Sequence, residues 1–180
     1  MMKYTIYING RFLSQKVTGV QRYAWGVVRA WDQALASRKI DPSVYTLKVL
    51  APADSNGVPD FKHIEVIKST WCSGKLWEQV VLPFASSGEM LFSPYAAAPA
   101  FKRKHVVTIH DAGVSATPYQ YTWPFRAWYQ FVYRAIGLCA GKIFTVSEFS
   151  KLELHHRFAI PLSKMYVAYP GHEGTQFSTA

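Results

Sequence analysis

The chain is poor in cysteine, short of acidic residues and without a long apolar run. Its two cysteines, Cys72 and Cys139, are far apart and stand in neither a Cys-x-x-Cys nor a metal-ligand spacing. We therefore expect no metal site, no redox centre and no cofactor. No apolar run approaches the roughly 20 residues that cross a bilayer, and no cleavable signal precedes the first predicted strand. The default expectation is a cytoplasmic protein.

The composition is that of a folded domain with a basic surface. Hydrophobic residues make up 49% of the 180 residues and charged residues only 17%, which excludes a disordered tail. The length suits a single domain. Twenty Lys and Arg against 11 Asp and Glu give a net charge of +9, and 16% of the residues are aromatic. This combination suits nucleic acid, an anionic membrane surface or a phosphorylated substrate, and the sign alone does not choose.

Short apolar runs alternate with amphipathic segments along the chain. Several runs are apolar at consecutive positions, as expected for strands buried on both faces. This order predicts an α/β fold with a doubly wound, mainly parallel, Rossmann-like sheet. The predicted strands are 3–8, 44–50, 64–67, 90–92, 106–109, 143–146 and 165–168. The predicted helices are 18–36, 75–81 ending near Pro83, 122–139, and one that starts at Ser147.

In such sheets, ligands bind at the carboxyl ends of the strands. The loop after the first strand ends in Thr18, which with Gln21 forms a capping-box pattern. Gly19 in the first helical turn lets an anion approach backbone N–H groups at the positive end of the helix dipole. The alternative is a simple turn glycine, because no Gly-x-Gly-x-x-Gly pattern is present.

Two further polar segments follow predicted strands. His110 and Asp111 come directly after the strand 106–109, where an imidazole can donate, accept or orient and a carboxylate can hold its tautomer. The alternative is a histidine bonded to loop backbone beside an aspartate that caps a turn. Ser147 is expected to cap a helix whose apolar positions are Phe149, Leu152 and either His156 or Phe158. The N-terminus of this helix could face the same ligand.

Basic residues also occur away from this edge. The run of residues 102–105, Lys-Arg-Lys-His, precedes a strand and should lie at the opposite end of the sheet from His110, as a solvated or membrane-facing patch. Arg126 and Arg134 lie on the aromatic helix 122–139. Together with its tryptophans and tyrosines they suggest contact with an anionic bilayer, whereas core packing of these aromatics is the alternative.

Several segments together resemble a known family. The sequence Thr-Gly-Val-Gln-Arg-Tyr after the opening strand, Val-Thr-Ile-His-Asp, and Phe-Thr-Val-Ser-Glu-Phe-Ser followed by a strand and Pro-Gly resemble the N-terminal domain of glycosyltransferase family 4. A Trp-Pro-Phe-Arg-Ala-Trp-Tyr segment lies between the second and third of these, also as in the family. The segments are residues 18–23, 107–111, 144–150, 170–171 and 123–129.

The resemblance implies the GT-B fold, in which two Rossmann-like domains face each other across a cleft. The N-terminal domain would bind the acceptor and the C-terminal domain the sugar nucleotide. Such enzymes are retaining, generally metal-independent, and in bacteria often move mannose or related sugars to lipid-linked or polysaccharide acceptors. The implied location is therefore peripheral, on the inner face of the cell membrane.

The resemblance also assigns roles to residues. Gly19 would present backbone N–H groups to the donor diphosphate, and His110 would sit beside the transferred sugar. The remaining candidates are weaker: Asp111 as a second catalytic group, and Thr18, Val20, Arg22 and Ser147 as substrate-binding residues.

The chain departs from the family pattern at its end. The paired glutamates of the C-terminal domain are missing, and residues 170–173, Pro-Gly-His-Glu, replace the usual Pro-Asn-Gly. We expect residues 1–170 to form the acceptor-side domain and 171–180 to begin a linker or tail. The chain alone should have negligible transferase activity. The alternative is a non-catalytic basic module for nucleic acid or an anionic membrane. We expect no nucleic-acid binding, since the cations are scattered along the chain.

Overall fold

The structure is a computed structural model that describes residues 3–55, 59–113 and 122–171. Within these residues, seven strands form one parallel sheet in the order β3-β2-β1-β4-β5-β6-β7. The predicted doubly wound Rossmann-like sheet is confirmed. Its strands are β1 (Tyr4–Asn9), β2 (Tyr45–Ala51), β3 (Glu65–Lys68), β4 (Met90–Ser93), β5 (His105–Thr108), β6 (Lys142–Thr145) and β7 (Met165–Val167).

Helices cover both faces of the sheet. The longer ones are α1 (Gly19–Ala36), α2 (residues 74–85), α3 (Trp123–Cys139) and α4 (Glu148–Phe158). Two short 3₁₀ turns, Arg11–Ser14 and Leu162–Lys164, join strands to their neighbours. Ile8 and Phe92 pack with α1 on one face, whereas Leu91 packs with α2, and Val107 with α3 and α4, on the other. Strands buried on both sides explain the consecutive apolar positions in the sequence.

The helix α2 continues four residues beyond its predicted last residue, Val81, and ends at Ala85, two residues after Pro83. It consists of Gly74–Leu76, a π-helical turn Trp77–Val81, and Leu82–Ala85, with Pro83 inside the final turn. The N–H of Leu82 bonds the carbonyl of Trp77 five residues back. Because the wider π turn changes the bonding pattern where proline lacks an N–H, the helix continues through it.

The basic run before β5 is only partly solvated, contrary to expectation. Lys102 is 8% exposed, and its ammonium donates to the carbonyls of Ser86 (2.8 Å) and Glu89 (3.0 Å) behind α2. Burial lowers the pKa of Lys102. Arg103 and Lys104 remain exposed. The run does lie at the opposite sheet edge from His110, since β5 starts after it and runs toward the histidine.

No helix in the described part of the chain is long and apolar enough to span a membrane. The described residues also contain no cluster of three or more His, Cys, Asp or Glu that would hold a metal ion.

Candidate functional site

The neighbouring strands β1, β4 and β5 are parallel, so their carboxyl ends lie side by side at one end of the sheet. Asn9, the last residue of β1, donates from its amide nitrogen to the hydroxyl of Ser93 (3.1 Å) and the carbonyl of Ala97 (2.6 Å). Asn9 and Ser93 are fully buried. A buried amide that lost its hydrogen bonds would cost free energy, so these two bonds hold the groups around Asn9 in place. The loops after β1 and β4 therefore lie at fixed positions.

A second polar network sets the start of α1. The side-chain oxygen of Gln15 accepts hydrogen bonds from the Tyr95 hydroxyl and from the Gln21 amide, both at 2.9 Å. The main-chain N–H and hydroxyl of Thr18 both donate to the side-chain oxygen of Gln21. Thr18 thus caps α1 as the sequence indicated. The network ties the first turn of α1 to the loop after β4.

Gly19 opens the first turn of α1 to solvent. No atom lies within 4 Å of the position that a Cβ would occupy there, and the first turn carries no acidic side chain. Backbone N–H groups at a helix start have no partner inside the helix and carry the positive end of its dipole. The side chain of Val20 packs toward the core, so only its backbone faces outward. The turn is suited to an anion.

A cleft of about 1000 Å³ opens beside this turn. It runs along α1, and the chain after β7 closes one side of it at Pro170 and Gly171. Its lining combines small residues, two exposed arginines and an aromatic ring, namely Gly19, Gly26, Arg22, Arg29 and Tyr23 among others. The cleft therefore carries positive charge, and the backbone N–H groups at the start of α1 are exposed in it.

His110 meets this cleft through Tyr23. The two rings are 4.7 Å apart between centroids and nearly perpendicular, at 89°, an edge-to-face arrangement. Tyr23 lies one helical turn beyond Gly19, on the same side of α1, and lines the cleft. The first turn of α1 and the imidazole of His110 therefore both lie next to the ring of Tyr23.

The surroundings of His110 favour a neutral imidazole. Its Nε2 lies 3.4 Å from the carbonyl oxygen of Pro94, which can only accept, so Nε2 carries the proton and Nδ1 is left as an acceptor. Burial lowers the pKa of His110, while the Pro94 carbonyl and the Asp111 carboxylate act in the opposite direction. The ring therefore presents an acceptor nitrogen rather than a positive charge at neutral pH.

Asp111 and Ser147 have local structural roles. The exposed Asp111 accepts the N–H of Gly113 at 2.7 Å and so caps a turn. The hydroxyl of Ser147 accepts the N–H of Ser150 at 3.0 Å and so caps α4. No hydrogen bond in the described residues joins Ser147 to the lining of the cleft. Gly19 and Arg22 therefore line the cleft, and His110 contacts its Tyr23 ring, whereas Ser147 does neither.

Sequence reasoning missed Tyr23 and Glu78. The spacing of four residues between Gly19 and Tyr23 would have placed the two on the same side of the helix. Glu78 is 6% exposed on the π turn, and burial raises its pKa to about 7 against the opposing effect of the Gln79 hydrogen bond. Nothing in the local sequence marks this glutamate as buried.

The sequence model of Glycosyltransferase Family 4 matches residues 17–173. The chain belongs to Glycosyltransferase Family 4. The matched region begins two residues before Gly19 and extends past Gly171, so all the residues that line the cleft lie within it, as does His110. None of the curated proteins compared with the chain matches it.

Membership in Glycosyltransferase Family 4 assigns the chain to glycosyl transfer. A domain of this family works with a nucleotide-sugar donor and an acceptor. The cleft beside Gly19 is compatible with such chemistry, since a sugar nucleotide carries a diphosphate and the turn offers N–H groups. The family match favours an enzyme domain over a non-catalytic basic module.

Proposed function

We propose that the chain is the acceptor-side domain of a retaining GT-B glycosyltransferase. It would help move a sugar, such as mannose, from a nucleotide-sugar to a lipid-linked or polysaccharide acceptor. One observation carries the proposal: the Tyr23 ring contacts His110 and lines the cleft that Gly19 opens. This contact supports the proposal because it puts a neutral imidazole next to a ring of the cleft into which the N–H groups of the first turn of α1 open.

The turn at Gly19 suits the leaving group. When the bond between the anomeric carbon and the diphosphate breaks, negative charge develops on the diphosphate. N–H groups already oriented at a helix start stabilise such charge without reorganising. The exposed Arg22 in the same cleft adds a cation close to them. These interactions strengthen as the charge grows, which is what lowers the barrier.

His110 suits the sugar. Its Nδ1 can accept a hydrogen bond from a sugar hydroxyl while Nε2 stays directed at Pro94. Positive charge grows at the anomeric carbon during transfer, so an imidazolium nearby would oppose the reaction. The lowered pKa keeps the ring neutral at neutral pH. Asp111 would act only on the ring's charge, since its own carboxylate is engaged by Gly113.

The proposed function also implies where the domain ends. Residues 1–170 would form the acceptor-side domain, and the chain leaves this domain at Pro170 and Gly171, which border the cleft. A donor-binding domain that follows would face Gly19 across it. The chain alone should be inactive, because the diphosphate would lack most of its charge stabilisation. Residues 172 and 173, which depart from the family pattern, lie outside the described residues.

The test measures sugar transfer by two proteins. One is this chain alone, and the other is the chain extended by any coding sequence that follows it in its gene. Radiolabelled nucleotide-sugars are supplied with membrane lipids and with polysaccharide. We expect transfer by the longer product, loss of that transfer in His110→Ala and Gly19→Asp, and no detectable transfer by the chain alone. Full transfer by both variants would refute the proposed site. If no donor domain follows and none can be added, the enzyme proposal gives way to a binding role.

A further inference from the structure

Glu78 is a buried acid that the site described above leaves unused. It is 6% exposed and takes part in none of the ion pairs among the described residues. Its Oε1 accepts a hydrogen bond from Nε2 of Gln79 at 2.8 Å. Its Oε2 accepts none from the described residues and is not fully enclosed. Because burying a carboxylate without a partner is costly, this oxygen is a group that a ligand can satisfy.

The local structure holds the Glu78 side chain in place. Glu78 lies on the π turn Trp77–Val81, and π turns inside helices occur often at functional sites. The neighbouring Gln79 also donates to the carbonyl of Ala98 (2.9 Å) and accepts the N–H of Ala100 (2.9 Å). These bonds join the π turn to the loop after β4, so the carboxylate is held against that loop.

Arg11 lies close to this carboxylate and has unused donors. Burial raises the pKa of Glu78 to about 7, and the charge of Arg11 acts in the opposite direction. One terminal nitrogen of the guanidinium, Nη1, donates to the hydroxyl of Ser14 at 2.8 Å and lies 3.7 Å from the carboxylate of Asp54. The Nε is buried without a hydrogen-bond partner among the described residues. The second terminal nitrogen, Nη2, bonds none of these residues either, so it can donate to a ligand.

Tyr95 connects this pair with the start of α1. Burial raises the pKa of Tyr95, the charge of Glu78 adds to this effect, and the charge of Arg11 opposes it. The phenol therefore lies near both groups. Its hydroxyl donates to Gln15, which also accepts from Gln21 in the first turn of α1. Arg11 and Tyr95 each stand two residues after a strand, β1 and β4. The pair thus lies at the end of the sheet where α1 begins.

The pair suits a neutral ligand that is rich in hydroxyl groups. The carboxylate would repel an anion, and the guanidinium would repel a metal ion or another cation. One hydroxyl of a sugar can donate to Oε2 of Glu78 while the next accepts from Nη2 of Arg11, and hydrogen bonds to charged groups are the stronger ones. Lys75 is engaged elsewhere, because its ammonium lies over the ring of Trp128, 4.8 Å from the centroid.

We propose that Glu78 and Arg11 bind the acceptor of the transfer reaction through two adjacent hydroxyl groups of a sugar. The proposal rests on the proposed function, in which Gly19 binds the donor diphosphate and His110 the transferred sugar. A second sugar held at Glu78 is therefore the acceptor. Both residues act by binding, and neither forms a covalent bond.

The first test measures kinetic constants of the chain joined to the proposed donor domain, with the lipids or polysaccharide that accept sugar in the transfer test. Glu78→Gln keeps the shape of the side chain but loses its charge. It should raise the KM for the acceptor roughly tenfold or more, and the KM for the nucleotide-sugar less than twofold. Arg11→Lys loses the planar fork and should raise the acceptor KM several-fold. A larger rise in the KM for the nucleotide-sugar would assign the pair to the donor and overturn the proposal.

A matched control separates the pair from the total charge. Glu89→Gln removes one carboxylate at an exposed position outside the pair and should keep both constants. An equal rise of the acceptor KM in this control would overturn the proposal, and so would a wild-type acceptor KM in Glu78→Gln. In either case the transferase proposal stands, because transfer itself is unaffected.

The acceptor KM of the wild type should also depend on pH. The charged carboxylate accepts hydrogen bonds at both oxygens, whereas the protonated acid has lost part of this capacity. The acceptor KM should therefore rise as the pH falls through about 7, the pKa that burial gives Glu78 against the opposing charges of Arg11 and Lys75. The rate at saturating acceptor should not follow this group. In Glu78→Gln the acceptor KM should be high and level over the same range, and a wild-type pH dependence there would contradict the proposal.

A binding measurement makes the test independent of catalysis. The chain alone is titrated with the methyl glycosides of mannose, glucose and galactose, and the carboxylate signal of Glu78 and the ring signals of Tyr95 are followed by nuclear magnetic resonance. At least one glycoside should shift both, and Glu78→Gln should weaken the shift at Tyr95 roughly tenfold. No shift with any of the three would overturn the sugar assignment. If the extended protein transfers no sugar, the proposed function fails, and this titration still decides whether the pair binds a sugar.

Thermal unfolding at pH 8 separates binding from a merely structural role. Because burial disfavours the charged form of Glu78, Glu78→Gln should unfold at the wild-type temperature or above it while it loses acceptor affinity. A variant that loses stability and affinity together would show that Glu78 only supports the fold.

Discussion

Among the helices that start beyond the carboxyl ends of the strands, α1 and α4 differ in what their N-termini offer a ligand. At α4, the Ser147 hydroxyl accepts the N–H of Ser150, and Glu148 occupies the first turn. At α1, Gly19 leaves open space where a side chain would be, no acid is present, and a cleft adjoins the turn. Both helices start after parallel strands. Of the two N-termini, only that of α1 has exposed backbone N–H groups, nearby arginines and an adjoining cleft that a ligand could occupy.

The difference shows that a helix start is a ligand site only when its own sequence leaves it open. A capping serine and an acidic first turn stabilise α4 by satisfying its N–H groups and its dipole. In α1, the capping residue Thr18 directs its hydroxyl to Gln21, and the dipole is not offset by an acid. We therefore expect an anion to bind at the start of α1 and not at the start of α4.

The largest effect is expected from a carboxylate placed at each helix start. Gly19→Asp should weaken binding of a nucleoside diphosphate by roughly a hundredfold or more, because like charges would be juxtaposed. Ser147→Asp keeps a good capping residue and adds the same charge at α4, so binding should stay within about twofold. Isothermal titration of the protein joined to the proposed donor domain measures both. Equal losses would show that both helix starts face the ligand.

A smaller effect is expected at the imidazole beside α1. His110→Phe keeps a ring against Tyr23 but loses the Nδ1 acceptor, and transfer should fall roughly tenfold. Because burial lowers the pKa of His110 below its ordinary value of 6.5, the wild-type rate should stay level down to that pH. It should decline only as the pH falls through the lowered pKa, where the ring becomes charged.

Asp111 provides the matched control for this pH profile. Its carboxylate raises the pKa of His110 against the effect of burial, so Asp111→Asn should move the acidic limb of the rate profile to lower pH. The rate above the limb should change little, since Asp111 is engaged by Gly113. An acidic limb that stays in place when either residue is replaced would contradict the assignment to His110.

The capping residues should differ in what their loss affects. Ser147→Ala should lower the free energy of unfolding by about 1 kcal/mol and leave diphosphate binding unchanged. Thr18→Ala should cost a similar amount and also weaken binding a few-fold, because Gln21 would lose its partner and the first turn of α1 its fixed position. Urea unfolding and calorimetric titration distinguish the two. Weaker binding in Ser147→Ala alone would reverse the comparison.

The smallest effect is expected for Gly19→Ala. The added methyl group meets no atom within 4 Å, and alanine favours the helix, so the protein should become slightly more stable, by up to about 0.5 kcal/mol. The methyl group would stand over the first turn, and diphosphate binding should weaken by only a few-fold. A loss as large as that of Gly19→Asp would indicate steric exclusion rather than charge as the main effect.

The sheet could be predicted from sequence because its central strands, such as β4 and β5, are buried on both faces and therefore read as short apolar runs. Asp32 shows why contacts between distant segments could not: its carboxylate accepts the N–H groups of Lys62, His63 and Ile64, about 30 residues away. No local pattern reports such a bond. It holds the loop before β3 against α1 all the same.

The same limit applies to the exposed and buried sides of α4. Phe149, Leu152 and either His156 or Phe158 were expected on its apolar face. Phe158 is buried, but Phe149 is 75% exposed, and the other buried positions are Ser150 and Leu154. The Ser147–Ser150 cap sets the helix phase at its start, so the serine turns inward and the phenylalanine outward. With few apolar residues in eleven, the sequence alone left the phase undetermined.

The candidate site was predictable only in its parts. Gly19 and His110 follow strands, which places both at one edge of the sheet, but the Tyr23 contact that joins them depends on how α1 crosses the sheet. Lys102 shows that the fold can also remove a residue from the surface. It belongs to a basic run, yet it is buried, and its ammonium donates to two carbonyls just after α2. Spacing along the chain identified the groups, and only the fold brought them together.

The most direct measurement is a nuclear magnetic resonance titration of the isotope-labelled protein with a nucleoside diphosphate. The account expects the amide signals of Gly19 and Val20 and the ring signals of His110 to shift together with one dissociation constant, while the amides of Glu148 and Phe149 stay in place. Shifts at the start of α4 without shifts at Gly19, or a diphosphate bound with His110 undisturbed, would contradict it.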